Sequence, residues 1–170
     1  MNTADILSHL QSLLPDAGLE MDTAKPESLI VVPPESLHDV ARCLRDDPKL
    51  AFDCLMCLSG LETNDQYQVV LHLYSMKHNH KAALRCGAPK DNPVIPTVSD
   101  LWATADWHER EAADMFGIRF EGHPDPRRML CPDDWEGYPL RKDYKPQEKW
   151  HDIPLTVNIP MQERAEKGTL

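Results

Sequence analysis

Apolar positions recur at helical spacing near the start of the chain. Ile6, Leu7, Leu10, Leu13 and Leu14 predict a helix over residues 3–14, which Pro15 stops. Residues 19–23 and 29–32 read as two strands around a Lys25-Pro26-Glu27-Ser28 turn. Pro33-Pro34 ends the second strand. Leu37, Val40, Ala41 and Leu44 then mark one face of a second helix, which closes near Asp46-Asp47-Pro48. Three strands are expected next. Residues 52–58 are nearly all apolar, the pattern of a central strand. Across residues 67–74, Val69, Leu71 and Leu73 alternate with Gln68, Val70, His72 and Tyr74. Residues 81–86 form the third strand, reached through a His78-Asn79-His80 turn; Gly60 and Asn64-Asp65 mark the other turn.

Residues 88–97 carry three prolines and read as a linker. A third helix is expected from a cap at Ser99 or Asp100 to Phe116, with Gly117 where a left-handed C-cap belongs. Seven of the fifteen prolines lie beyond Gly117, with no sustained periodicity. That predicts an α+β fold: a small antiparallel or mixed sheet flanked by helices over residues 1–117, then a long extended C-terminal docking arm over 118–170. No βαβ alternation supports a doubly wound sheet.

On a helical wheel the third helix has an apolar stripe of Leu101, Trp102, Ala105, Ala112, Ala113, Met115 and Phe116. Glu109 projects into that stripe. A carboxylate facing a core needs a partner, and the expectation is Arg127 or Arg128, brought back by the arm. Asp106, Arg110 and Asp114 follow at four-residue spacing on the opposite face and read as a solvated ion-pair ladder.

Charge narrows the partners. A net charge of −10 argues against nucleic acid and against anionic lipid. No apolar run is long enough to span a bilayer, and the N-terminus lacks a signal-peptide pattern, so the expected place is cytoplasmic, with membrane association only through another protein. The five cysteines show no framework spacing. Cys54 and Cys57 form a CxxC, but in a strand their side chains are expected on opposite sheet faces. A redox or metal role for them, or a metal role for His78 and His80, lacks the further ligands it needs. His123 reads as a structural hydrogen-bonding group. Phosphate-binding loops, nucleophile elbows and four-cysteine cluster runs are all absent from the sequence.

Residues 107–144 carry the chain's most specific pattern. Glu109-Arg110-Glu111, Asp114, Met115-Phe116, His123, Arg127 and Met129-Leu130 fall at fixed spacings, followed by Gly137-Tyr138-Pro139-Leu140-Arg141-Lys142-Asp143-Tyr144. The stretch resembles the C subunit of proton-pumping NADH–quinone oxidoreductase, respiratory complex I. The resemblance implies a non-catalytic peripheral-arm subunit on the cytoplasmic face of the cell inner membrane. It implies no cofactor on this chain, with FMN and iron–sulfur clusters on other subunits. The implied partners are the large quinone-site subunit and the small cluster-bearing subunit. Arg110, Glu111, Asp114, His123, Arg127, Arg128, Arg141, Lys142, Asp143 and Tyr144 are the candidates for inter-subunit or structural roles; Glu109 and Gly117 are candidates for setting the arm's path. The same signature occurs in ferredoxin-driven relatives and in membrane-bound energy-converting hydrogenases. A free-standing thiol- or metal-dependent enzyme is the reading from a different class.

Overall fold

A capping box opens the chain. The Asn2 side chain accepts the Asp5 N–H, and the Asp5 side chain accepts the Asn2 N–H, starting α1 (Thr3–Leu13). The structure, a computed structural model, describes residues 1–23 and 28–155. Most of the expected Lys25–Ser28 turn therefore lies outside the described residues. The strands on either side of it, β1 (Glu20–Asp22) and β2 (Leu29–Val31), pair antiparallel. α2 (Pro34–Asp46) has proline in its first turn, where the missing N–H costs nothing, and buries Leu37, Val40, Ala41 and Leu44.

β3 (Cys54–Glu62), β4 (Gln66–Ser75) and β5 (His80–Pro89) form the expected antiparallel meander within a five-stranded sheet ordered β1-β2-β5-β4-β3. The sheet is mixed, because β2 runs parallel to β5. β3 is an edge strand, contrary to the central position its apolar run suggests. Its buried residues face α3 (Ala103–Phe116), which lies along it closely enough that Phe116 and Ala112 sit over Gly60. The free edge is partly covered: His108 Nδ1 accepts the Leu58 N–H at 3.3 Å, blunting an edge that invites foreign strands. Phe52 precedes the strand and is buried in the core.

Two expectations about cysteine and proline fail for local reasons. A register shift between Leu55 and Cys57 bulges Met56 outward. Cys54 then faces Tyr74 and Cys57 faces His72, so the two thiols share a sheet face instead of opposing ones. The 88–97 segment is also no simple linker. It holds the end of β5 and a short strand, β6 (Val94–Pro96), which pairs parallel with β7 (Arg119–Glu121) across α3. That is a compact βαβ unit, invisible to periodicity because each strand is three residues long.

The His78-Asn79-His80 stretch does turn, with Asn79 at φ 51°. Its histidines clasp the hairpin to the loop after α2: His78 Nε2 donates to the Pro48 carbonyl (2.8 Å) and His80 Nε2 to that of Leu50 (2.7 Å). One continuous core runs from Ile6 and Leu10 through Leu71, Leu73 and Leu84 to Ile95 and Ile118. Beyond β7 the chain turns back over the end of α3. A two-residue hairpin of β8 (Lys149–Trp150) and β9 (Ile153–Pro154) closes the described part. No helix among the described residues is long and apolar enough to cross a membrane.

Candidate functional site at the helix–arm junction

The C-terminal half of α3 meets an arm rich in proline and poor in backbone partners of its own. The helix begins at Ala103, with Trp102 at the N-cap and no side-chain cap. Ser99 and Asp100, the expected caps, are engaged elsewhere: Ser99 with Thr97, and Asp100 with His38 at 2.9 Å. The indole N–H of Trp102 donates to the Phe52 carbonyl and fixes the helix start. The helix ends at Gly117, whose φ of 72° places it in the left-handed region.

Four side chains of α3 settle the polarity of this junction. Glu109 is fully buried. Its partner is not an arginine. Oε2 accepts the Thr97 hydroxyl proton (2.5 Å) and Oε1 accepts the Val98 N–H (2.7 Å), so the carboxyl ties the helix to the end of β6. Burial outweighs these bonds and pushes its pKa up to about 7. Arg110 donates from Nε to the Arg127 carbonyl (3.1 Å) and from Nη2 to that of Arg128 (3.3 Å). Asp114 accepts the N–H groups of Met129, Leu130 and Cys131, and takes an ion pair from Arg128 Nη1 at 2.7 Å. Burial works against its charge, but those bonds win and hold its pKa below the usual carboxylate range. The ladder expected for Asp106, Arg110 and Asp114 is absent, because the arm covers that face and each side chain serves the arm.

Asp106 meets His123 instead. The Asp125 N–H donates to His123 Nδ1 (3.0 Å), which leaves the proton on Nε2, aimed at the Asp106 carbonyl (3.2 Å). The same nitrogen is 3.1 Å from the buried Asp106 Oδ1, which has no aligned donor among the described residues, and 3.9 Å from Glu109 Oε2.

The closing segment caps the helix. A helix C-terminus leaves carbonyls without partners and carries partial negative charge. Leu140 N–H donates to the Met115 carbonyl (3.1 Å), and Arg141 Nε donates to that of Phe116 (2.7 Å). The Arg141 guanidinium lies between the rings of Tyr67 and Tyr138, at 4.7 and 4.3 Å. The Lys142 N–H donates to Glu62 Oε2 (2.7 Å). Tyr144 accepts the Trp135 indole proton (3.1 Å). Lys142, Asp143 and Glu111 are exposed, as is Arg127, which chelates Asp125 through two 2.7 Å bonds. Thr97, Val98, Tyr67 and Glu62 complete the junction and carry no sequence signal of their own. Among the described residues no group of three or more His, Cys, Asp or Glu is placed to hold a metal ion. Chemically, the arrangement is suited to fastening an irregular chain to a helix.

Glu109 makes the junction pH-sensitive. Its folded-state pKa is raised, so the folded protein keeps the proton to higher pH than the unfolded chain. Stability falls as pH rises from the ordinary carboxyl range toward 7, then levels. Chemical denaturation at pH 5 and pH 8 is expected to differ by about 2 kcal/mol. Glu109→Gln, which keeps an acceptor for Val98 and a partner for Thr97, should flatten most of that difference; an unchanged difference refutes the assignment.

A family model described as respiratory-chain NADH dehydrogenase, 30 Kd subunit, matches residues 30–150. The chain is similar to the C subunit of NADH-quinone oxidoreductase from Chloroherpeton thalassium, 53% identical over 116 residues, covering 67% of this chain and 48% of that protein. It therefore spans about half the length of that relative. It is also similar to the C subunit from Roseiflexus castenholzii, 43% identical over 146 residues and covering 84% of each. Among solved structures, a trypsin-resistant fragment (1-134) of Nqo5 superposes with a TM-score of 0.59 at 27% identity, covering 71% of this chain and 98% of that one. The membrane-bound sulfane sulfur reductase, an archaeal respiratory membrane complex, shares the fold with a TM-score of 0.67 at 23% identity over 84% of this chain and 85% of that one. The family model covers well over half of the sequence and includes the whole helix–arm junction: this chain belongs to the respiratory-chain NADH dehydrogenase 30-kDa subunit family, that of the NADH–quinone oxidoreductase C subunits.

Proposed function

We propose that this chain is a non-catalytic peripheral-arm subunit of a proton-translocating NADH–quinone oxidoreductase. It docks on the quinone-site and cluster-bearing subunits at the cytoplasmic face of the membrane and supports electron transfer carried out on their cofactors. The flavin and the iron–sulfur clusters belong to those other subunits.

The observation that carries this reading is how the family signature is used. Glu109, Arg110, Asp114, His123, Arg128 and Arg141 are bound to the chain's own loops and carbonyls. The motif builds a surface instead of a reaction centre. That surface leaves large apolar side chains in water: Trp107 is 60% exposed, Leu130 58% and Leu140 56%. An exposed tryptophan stacked on an arginine, here Arg110 at 5.3 Å, is typical of a contact that dominates an interface. Apolar groups held out on a rigid junction supply the area a stable contact needs. Glu111, Lys142, Asp143 and the ring of Tyr144 belong to the polar rim.

Affinity purification of the tagged chain from gently solubilised membranes tests the proposal. Flavin- and cluster-bearing subunits and NADH–quinone activity are expected in the eluate. A nickel-containing partner points instead to the hydrogenase relative. Recovery alone from the soluble fraction overturns the assignment.

A further inference from the structure

We infer that the cavity between α3, β7 and the arm is a socket for an acidic, partly apolar segment of a neighbouring subunit. The cavity holds about 350 Å³ and opens beside the helix–arm junction. Ala113, Ile118, Phe120 and Pro126 supply its apolar lining. Its charged lining is four arginines, 110, 119, 127 and 128, against two carboxylates, Glu109 and Asp114. Asp125 pairs with Arg127 and lies 3.8 Å from Arg110, and Asp114 pairs with Arg128, so the uncompensated charge at the cavity is the positive one of Arg119.

The four guanidiniums are not equivalent. Arg110 and Arg128 are spent on backbone carbonyls and Asp114. Arg127 is exposed and chelates Asp125. Arg119 is exposed and, among the described residues, has no ion-pair partner. Glu121 shares its face of β7 but does not line the cavity. The two carboxylates are buried and already bonded, so they do not neutralise what enters. An incoming anionic side chain therefore meets the Arg119 guanidinium at the rim, beside the Asp125-chelated Arg127, while neighbouring apolar groups fill the lining.

That combination selects a polypeptide. Nucleic acid and anionic membranes are repelled by the overall charge, and a free small anion leaves the hydrocarbon walls wet. The socket is also continuous with the exposed apolar surface, since Arg110 lines the cavity on one side and stacks on Trp107 on the other. A partner protein that covers Trp107 lies across the cavity mouth.

The inference rests on the proposed function and is tested in the assembled complex. Arg119→Glu sets a carboxylate beside Glu121 on the exposed face of β7, a repulsion that solvent screens, and should melt close to the unaltered chain. It is expected to lower co-purification with the partner subunits about tenfold at moderate salt, with Arg119→Lys restoring it. A photo-crosslinking residue in place of Arg119 should join the chain to a partner peptide containing Asp or Glu. If the unaltered chain co-purifies and Arg119→Glu does so equally well, or the cross-linked peptide has no acidic residue, the socket is refuted and the subunit assignment stands. If the unaltered chain does not co-purify, both fail.

Discussion

Asp114→Ala is expected to free residues 129–131 and the Arg128 side chain from α3 and to weaken the helix–arm junction by roughly 3–5 kcal/mol, the usual cost of removing one partner of a buried ion pair. Asp114 is fully buried yet charged, and it is stable there because four donors converge on it: three successive backbone N–H groups and Arg128. Alanine leaves those N–H groups without acceptors and Arg128 without its counter-charge. The arm has no strand or helix at this point to take them over. Asparagine is expected to rescue only part of the loss, since its amide presents one acceptor oxygen and a donor group facing further donors.

The most direct readout is trypsin, which cuts after Arg127 and Arg128. If cleavage follows local opening, about 3 kcal/mol corresponds to more than a hundredfold faster cutting there, with sites in the 1–117 region much less affected. Cutting within twofold of the unaltered chain rules the role out. The pH dependence has a definite sign. A depressed carboxylate pKa contributes stability above the ordinary carboxyl range and loses it as pH falls through the folded-state value. Acidification should therefore loosen the arm through Asp114 while Glu109, with its raised pKa, becomes less of a burden. The two buried carboxyls of one helix respond oppositely because one faces four donors and the other two.

Much of this architecture is legible in the chain. The three helices, the meander and the glycine stop after Phe116 follow from periodicity and capping chemistry. The family resemblance singles out Glu109, Arg110, Asp114, His123 and Arg128, which the structure gathers at the helix–arm junction. What stays hidden is which group meets which. A buried glutamate demands a partner, but nothing local says that Thr97 and a backbone N–H fill that need instead of an arginine. β6 and β7 are too short to show a period, and their parallel pairing depends on α3 spanning the gap between them. The bulge at Met56, which turns Cys54 and Cys57 to one face, is a tertiary adjustment that no strand pattern encodes. β3 reads as central because α3 does for its apolar side what a neighbouring sheet layer does elsewhere.

Gly117→Ala is the second large effect expected, and it separates two reasons for a glycine. The first is conformational: a φ of 72° strains any residue with a Cβ, by about 1 kcal/mol. The second is space. A Cβ at this position falls 2.6 Å from Tyr138 Cε2 and within clashing distance of the Arg141 guanidinium. Neither neighbour is free to give way. Arg141 is bonded to the Phe116 carbonyl and held between two aromatic rings, and Tyr138 also lies under Arg128 at 5.4 Å. The added methyl must displace the segment that caps α3, for a total cost of roughly 2–4 kcal/mol. Asparagine tolerates the left-handed conformation well, so a purely conformational requirement predicts that Gly117→Asn is nearly harmless. The packing requirement predicts that it is almost as damaging as alanine. A double-mutant cycle with Arg141→Ala completes the test. Truncating Arg141 opens part of the space, so Gly117→Ala should cost at least about 1 kcal/mol less in that background. Strict additivity, together with a benign asparagine, assigns Gly117 to backbone geometry alone and removes Arg141 and Tyr138 from the set of residues that steer the arm.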